Sequence, residues 1–312
     1  MDHETENTVG EQVKHAFSGG LSGAITRAIC QPLDVLKIRF QLQVESEKRG
    51  AKYHSIFQAV RLMYKEEGVR VFWKGHLPAQ CLSVIYGISQ FWFYEQINYS
   101  SRHIALFENR PDLRHFICGA AAGSFATIIA NPIDVVRTRL IAQDRTKGYR
   151  NSFQGLKIMM REESYRGLFR GLWPSLLQIA PMSGGQFMFY NFFGDALKQY
   201  LGVKQSEMLP AWELLGVGAL SGVCAKFLVY PLDLSKKRMQ IQGFAKHRQT
   251  FGKHFICKGL VDCVIMTAKH EGLKGLYKGL GPTMLKSGMT TAFHFVFYDE
   301  IVKFLTTDHH HL

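Results

Sequence analysis

The sequence predicts an all-α membrane protein: six transmembrane helices in three pseudo-symmetric repeats, each repeat adding a short helix along one membrane surface. Three observations predict it. First, Pro32-Leu-Asp34-Val-Leu-Lys37-Ile-Arg39 recurs as Pro132-Ile-Asp134-Val-Val-Arg137-Thr-Arg139 and again as Pro231-Leu-Asp233-Leu-Ser-Lys236-Lys-Arg238. The prolines stand 100 and then 99 residues apart, a fixed period that marks a repeat architecture. Second, other words keep the same phase. A pair of glycines opens thirteen residues before each proline (Gly19/Gly23, Gly119/Gly123, Gly218/Gly222). After each proline comes an acidic residue and then an aromatic-basic-glycine triplet: Glu67 with Trp73-Lys74-Gly75, Glu163 with Phe169-Arg170-Gly171, and Glu271 with Tyr277-Lys278-Gly279. Third, segments 12–40, 76–100, 112–142, 173–200, 210–242 and 280–305 are long and mostly apolar. At 1.5 Å per residue each is long enough to cross a hydrocarbon core of about 30 Å.

Taken in order, the chain reads as an acidic tail (1–11), repeats at 12–107, 108–205 and 206–305, and a short tail (306–312), all in one integral domain. A unit of two long helices cannot bury its own apolar faces, so the three units must pack together. Within each, the odd-numbered long helix leads through a loop to a short amphipathic helix, at about 54–66, 151–163 and 258–271, and then to the even-numbered long helix. In the first short helix Ile56, Val60 and Met63 are apolar at helical spacing while Arg61, Lys65 and Glu66 are polar. Such a length cannot span a bilayer; the helix lies along its surface. In the second repeat Ser164 stands where the other copies have Gly68 and Gly272.

Mean hydropathy is −0.06, which alone would suit a soluble protein. The long segments carry polar residues at intervals instead, the pattern of a bundle around a polar path. The net charge of +13 comes with no aromatic-interleaved basic run, so nucleic acid is not the expected partner. Basic loops such as Lys48-Arg49-Lys52 and Lys246-His247-Arg248 suit the surface of an anionic membrane. The first fifteen residues, with Asp2, Glu4, Glu6 and Glu11, resemble neither a secretory signal nor an Arg-rich transit peptide, so import into an organelle would use internal signals. Six cysteines without a CxxC pair read as small packing residues. The terminal His309-His310-His311 run reads as trivial, and no metal site or cofactor is expected. With no phosphate loop, nucleophile constellation or ligand spacing, an enzyme is not expected either.

Pro32, Pro132 and Pro231 sit inside helical patterns, where each removes a backbone hydrogen bond and kinks its helix. Asp and Lys or Arg three residues apart share one helix face. Past the kink that face can turn to the threefold axis, where Asp34, Asp134 and Asp233 would each meet a basic residue of a neighbouring repeat, Lys37, Arg137 or Lys236. The expectation is a ring of three ion pairs closing one end of the path, worth a few kcal/mol at most because desolvation offsets much of the Coulomb gain.

Ionisable residues at membrane depth cost about 2.5–3.5 kcal/mol on insertion scales and tend to be functional. Arg27 and Lys226 occupy the same position in repeats one and three, five residues before the proline, where repeat two has Thr127; Lys286 lies seven residues past Gly279. The near sequence offers them no carboxylate, so they are expected to stand unpaired and to want an anionic ligand such as a pyrophosphate. Helix N-termini at Gly75, Gly171 and Gly279 could take phosphate head groups of lipid.

The triple Pro-x-Asp-x-x-basic-x-basic, each followed by the acidic and aromatic-basic-Gly words, resembles the mitochondrial carrier signature over residues 12–305. The resemblance implies a monomeric multi-pass carrier of the mitochondrial inner membrane with short matrix surface helices, alternating between cytoplasm-open and matrix-open states around one central site, with cardiolipin as lipid partner. It makes the ion-pair ring the matrix gate, braced by glutamines at Gln41 and Gln240 but not at Ile141. It places a cytoplasmic gate at Tyr94-Glu95, Tyr190 and Tyr298-Asp299, with Asn98, Gly194 and Val302 in place of its basic partners. Contact points fall near Leu82-Ser83, Gln178-Ile179 and Lys286-Ser287, and Tyr86, Gln90, Gln186 and His294 are expected to complete the cavity.

Longer stretches, among them Phe72-Trp73-Lys74-Gly75-His76, Tyr230-Pro231-Leu232-Asp233-Leu234 and Gly243-Phe244 with Phe251-Gly252, resemble the branch of that family that carries thiamine pyrophosphate. This implies import of thiamine pyrophosphate into the matrix in exchange for nucleotides. The cationic cluster alone also suits a nucleotide or coenzyme A carrier, and the depleted cytoplasmic gate suits a proton-leak channel.

Overall fold

The computed structural model describes residues 2–45, 50–102, 111–144, 148–202, 210–244 and 256–307. The basic residues Lys48, Arg49, Lys246, His247 and Arg248, the Phe251-Gly252 pair and the terminal histidines lie outside the described residues. Every regular element among the described residues is helical. Repeat one holds α1 (Asp2–Leu42), α2 (Ile56–Glu67) and α3 (His76–Ser101); repeat two holds α4 (Pro111–Ala142), α5 (Ser152–Leu168), α6 (Leu172–Leu177) and α7 (Ile179–Leu201). Repeat three holds α8 (Ala211–Gln240), α9 (Leu260–Glu271) and α10 (Leu280–Thr307), and short 3-10 turns follow α2 and α9. The one long segment that divides is 173–200, at Gln178 between α6 and α7. Pro181 has no amide to return to the Leu177 carbonyl, which favours a break there.

Local chemistry starts the surface helices. Ser55 and Asn151 take extended backbone and accept from the amides of Gln58 and Gln154 at 3.2 and 2.8 Å. The side chains of Gln58, Gln154 and Asp262 reach back to the amides of His54, Arg150 and Lys258 at 3.1, 2.8 and 2.8 Å. α2 and α9 then end on glycines at positive φ, Gly68 at 78° and Gly272 at 74°, and α5 kinks at the equivalent Ser164, at 60°. Ser164 therefore adopts a conformation that only glycine enters without strain.

The six long helices close into a ring. The most extensive packing pairs each repeat's second long helix with the next repeat's first: α3 with α4, α7 with α8, and α10 with α1. The apolar core sits at one end of that ring, the end that carries the prolines and charges. There Val35, Leu36, Leu42, Tyr53, Met63 and Ile141 form one buried cluster, and Val135, Val136, Tyr149, Met159 and Phe244 a second. Elsewhere large apolar side chains face outward, as with Phe91 at 70 % and Phe187 at 67 % exposure. An apolar belt of that kind belongs in lipid.

α1, α4 and α8 run unbroken through their prolines. The Ala28 carbonyl, four residues before Pro32 and freed by it, accepts from the indole N–H of Trp73 at 3.0 Å. The residue just before each proline staples the following connection: Gln31 donates to the Lys74 carbonyl at 2.9 Å, Asn131 to the Leu168 carbonyl at 2.8 Å and the Tyr230 hydroxyl to the Lys278 carbonyl at 2.9 Å.

The paired glycines themselves make few close contacts. A Cβ at Gly19, Gly23, Gly119 or Gly222 would meet nothing within 4 Å; only at Gly123 and Gly218 does a neighbour come that close. The small residues beside the glycines make the contact instead: Ser18, Ser22, Cys118, Ala122 and Ser221 are buried. All six cysteines are free thiols.

Candidate functional site

At the charged end α1, α4 and α8 bring their repeated charges together across the axis. Arg137 meets Asp34 at 2.7 Å, Lys37 meets Asp233 at 2.9 Å and Lys236 meets Asp134 at 2.9 Å. Each pair joins two different repeats, and the side chains are only 8–16 % exposed. Glutamines support two of the three. Gln41 donates to Asp233 at 3.3 Å and to the Tyr230 hydroxyl at 3.2 Å, and Gln240 donates to Asp134 at 2.8 Å. Ile141 occupies the third position, fully buried among apolar side chains.

A second ring lies one turn further along. Arg39, Arg139 and Arg238 grip Glu67, Glu163 and Glu271 of their own repeats through two guanidinium nitrogens each. The basic residue of each aromatic-basic-glycine triplet closes on the same carboxylate: Lys74 at 2.7 Å, Arg170 at 3.3 Å, Lys278 at 2.5 Å. The Nε of each arginine donates onward to a carbonyl of the next repeat, Ile141 at 3.4 Å, Gln240 at 3.1 Å and Gln41 at 3.1 Å. These are carbonyls of the last helical turn, which lack partners within their own helix. Burial alone would push the Glu67 carboxyl up, but the hydrogen bonds from Arg39 and Lys74 outweigh it and hold the carboxyl below the usual range. Burial lowers the Lys278 ammonium despite its carboxylate partner.

Two of the three cations expected to stand unpaired are paired. Lys286 reaches Asp34 at 2.6 Å, and Lys226 reaches Asp233 at 3.5 Å along its own helix. Distance in the chain hid the first pair, and the second spans seven residues, two full turns, which keeps both side chains on one face. Arg27 is within electrostatic reach of Asp34 and Arg137 and joins no ion pair among the described residues. The cations thus lie on the carboxylates of the ion-pair ring.

Against known proteins, the family described as mitochondrial carrier protein matches three times, over residues 10–102, 108–201 and 207–309. The chain belongs to the mitochondrial carrier family. Similar relatives include the mitochondrial thiamine pyrophosphate carrier of Macaca fascicularis, 39 % identical over 96 % of this chain and 94 % of that one. The protein of the same name from Homo sapiens is 40 % identical over 91 % and 89 %, and the mitochondrial thiamine diphosphate carrier 1 of Arabidopsis thaliana 32 % over 91 % and 91 %.

In this carrier the tyrosine end is built differently from the charged end. Tyr94 hydrogen-bonds His115 at 2.8 Å and Tyr298 hydrogen-bonds His15 at 2.9 Å. Each bond links a repeat's second long helix to the next repeat's first, α3 to α4 and α10 to α1, and each histidine stands seventeen residues before its proline. In repeat three that position is Leu214, and Tyr190 faces a crevice of about 370 Å³ lined also by Ser183, Gln186 and Phe187. Glu95 and Asp299 are exposed and the three tyrosines do not meet one another.

Several expected cavity residues take up helix contacts. The His294 ring nitrogen lies 3.4 Å from the Ser22 hydroxyl on α1, and the Tyr86 hydroxyl and Ile179 lie 3.6 Å from where a Cβ at Gly123 would be. Leu82, Ser83, Gln90 and Gln178 are half-buried, and a side-chain oxygen of Gln178 is buried with no partner. At Gly171 and Gly279, φ of +75° and +84° and a close approach both require glycine: an added Cβ would come 2.9 Å from the Lys236 carbonyl oxygen and 3.0 Å from that of Lys37. Gly75 likewise backs onto Ile141 and Arg137. Sequence reasoning missed Lys237, which binds Asp134 at 2.9 Å, and both histidine–tyrosine bonds. The seventeen-residue phase of His15 and His115 was the signal available for the latter.

Proposed function

We propose that this carrier moves thiamine pyrophosphate across the mitochondrial inner membrane by alternating access, with a nucleotide as counter-substrate. The names and extent of the similar relatives support the cargo. The observation that carries the reading is the position of Lys286 and Lys226 on the ring carboxylates, with Arg27 beside them. A single carboxylate neutralises one cation, whereas a pyrophosphate brings several charges and many acceptor oxygens to all three. In this reading the ion-pair ring is the matrix gate and is shut, while Tyr94, Glu95, Tyr190, Tyr298 and Asp299 belong to an open cytoplasmic gate. Leu82, Ser83, Gln178, Ile179 and Gln186 would face the heterocycle. Cardiolipin is the lipid we infer for the N-termini of α3 and α6 at Gly75 and Gly171, which have no side-chain cap, and by symmetry for Gly279. The carrier works as a monomer.

Uptake into liposomes tests the cargo. Thiamine pyrophosphate should be exchanged faster than ATP, coenzyme A or thiamine, and Lys286→Gln should cut that exchange at least about tenfold, the loss of one charge-assisted contact of about 1.5–3 kcal/mol. Equal uptake of unrelated nucleotides would sink the narrower cargo. Proton conductance without any solute would sink the exchanger.

A further inference from the structure

The seam between α10 and α1 is polar at each step from the tyrosine end to the ion-pair ring. The helices run antiparallel, with Tyr298 on His15 at 2.9 Å, His294 on Ser22 at 3.4 Å and Lys286 on Asp34 at 2.6 Å. One turn along each helix from the His294–Ser22 contact, the same register sets Thr290 opposite Thr26. On α10 the four residues stand four apart, and on α1 Ser22, Thr26 and Asp34 belong to one four-residue series, so each set follows one helix face. The equivalent positions of the other two seams are Gln90, Tyr86 and Leu82 with Ala122, Ala126 and Asp134, and Gln186, Met182 and Gln178 with Ser221, Ala225 and Asp233. Neither has a histidine one turn below its tyrosine, and both have alanine where α1 has Thr26.

The two threonines differ from others in the chain. Thr127, Thr138, Thr267 and Thr283 each donate to the carbonyl four residues back at 2.7–2.8 Å. The hydroxyls of Thr26 and Thr290 are buried with no partner among the described residues, and Thr26 is 1 % exposed. Buried hydroxyls are almost always hydrogen-bonded, to protein or to ordered water. Two of them set opposite each other, one turn from an imidazole and one turn from an ammonium, suit a bridging water.

Histidine is the side chain that gains and loses a proton near neutral pH. His294 touches Ser22 and joins no ion pair among the described residues. Along the seam α1 carries Lys14, His15, Arg27 and Asp34, and α10 carries Lys286, Tyr298 and Asp299. α8 meets α10 nearer the ring, with Tyr230 3.4 Å from the Thr283 hydroxyl and Lys226 on Asp233. Asp34 is already held by Arg137 and Lys286, so the cations prevail around His294 and oppose a further positive charge. A pyrophosphate drawn to Lys286 and Arg27 reverses that balance; Lys286 is eight residues, about 12 Å, along α10 from His294. Anion and proton then favour each other's binding, and such coupling is reciprocal.

We propose that the α10–α1 seam is a proton site: His294 takes up a proton together with the anionic solute, and Thr26 and Thr290 hold the water that links it to the Lys286 end. The proton comes from water at the tyrosine end, adds to the unprotonated imidazole nitrogen and leaves to matrix water when the carrier opens there; no bond of the solute breaks. The proposal deepens the carrier and cargo reading above and rests on it. The full carrier in liposomes loaded with nucleotide and a pH-sensitive dye tests it. External thiamine pyrophosphate should acidify the lumen, and its uptake should rise several-fold as the outside goes from about pH 8 to about pH 6, across the range where histidine titrates. His294→Gln should remove the acidification and flatten the pH profile. The solute's own phosphate titration is common to both proteins, so the difference between them reports the histidine. Thr26→Val and Thr290→Val should slow the acidification several-fold without lowering the melting temperature, because each replaces an unpartnered hydroxyl by a methyl group. A lower melting temperature with acidification unchanged would make the hydroxyls packing groups and overturn the water link. Thiamine pyrophosphate uptake with no acidification, and the same pH profile in His294→Gln, would overturn the proton site and leave the cargo standing. Uptake of a different phosphorylated solute would overturn the cargo, and the dye read with that solute would then decide the proton site.

Discussion

The charged end and the tyrosine end are drawn from the same three repeats, yet they are held by different chemistry. At the charged end every repeat contributes an aspartate, a basic residue, an arginine and a glutamate, and the bonds run both within repeats and between them. The tyrosine end has two tyrosine–histidine hydrogen bonds, with leucine where a third histidine would stand. Buried ion pairs are rigid and expensive to break singly, because the abandoned partner stays buried. Neutral hydrogen bonds on exposed groups are cheap to make and to lose. A chain that must open at both ends can thus shut one end firmly in this state while the other stands ready to rearrange.

The comparison is tested most severely at Arg238. Its guanidinium and Glu271 are each 1 % exposed, and it also holds Thr267 at 2.9 Å and the Gln41 carbonyl at 3.1 Å. Arg238→Met keeps the bulk and removes the charge, leaving Glu271 with Lys278 alone. We expect a loss of about 3–5 kcal/mol, the range for stripping one partner from a buried pair. It would appear as a large drop in melting temperature in detergent or nanodiscs. A drop no greater than that of an exposed-site control would show that the arginine ring does not hold the closed end.

Much of the charged end is legible in the chain because it is written three times. Asp34, Asp134 and Asp233 keep step with their prolines, and a threefold axis leaves each one basic neighbour to meet. The second ring was half legible: Arg39 and Glu67 repeat in phase, but only the path of the intervening loop shows that they meet. Where repeats differ, periodicity is silent. Lys286 lies 252 residues from Asp34, so no local pattern could pair them. Lys237, the extra lysine of the third copy, reads as a variable position until Asp134 is seen beside it. The recurring glycines are a different case: a Cβ at most of them would meet nothing within 4 Å, and the buried positions are the small residues beside them, such as Ser22, Ala122 and Ser221.

A smaller effect sharpens the charged end from the backbone side. Ser164 sits at φ 60°, ψ −174°, where Gly68 and Gly272 have φ 78° and 74° with nearly the same ψ. That region costs a residue with a Cβ about 1–3 kcal/mol, and glycine returns part of the gain through its freer unfolded chain. Ser164→Gly should therefore stabilise by about 1 kcal/mol and raise the melting temperature by a few degrees. A neutral or lower melting temperature would mean that the serine hydroxyl supplies a contact offsetting the strain.

The smallest effect belongs to the tyrosine end. His115 is exposed and hydrogen-bonds Tyr94 at 2.8 Å with no carboxylate in the bond, and the rings stack at a 25° interplanar angle. His115→Phe preserves the stacking and removes the hydrogen bond, so stability should fall by about 0.5–1 kcal/mol or less. The same bond ties α3 to α4 across two repeats, and its loss frees Tyr94 to move toward the axis. Melting should therefore hardly change, while the transport rate responds more than stability does. A melting loss approaching that of Arg238→Met would erase the difference between the two ends and show that both are clamped in this state.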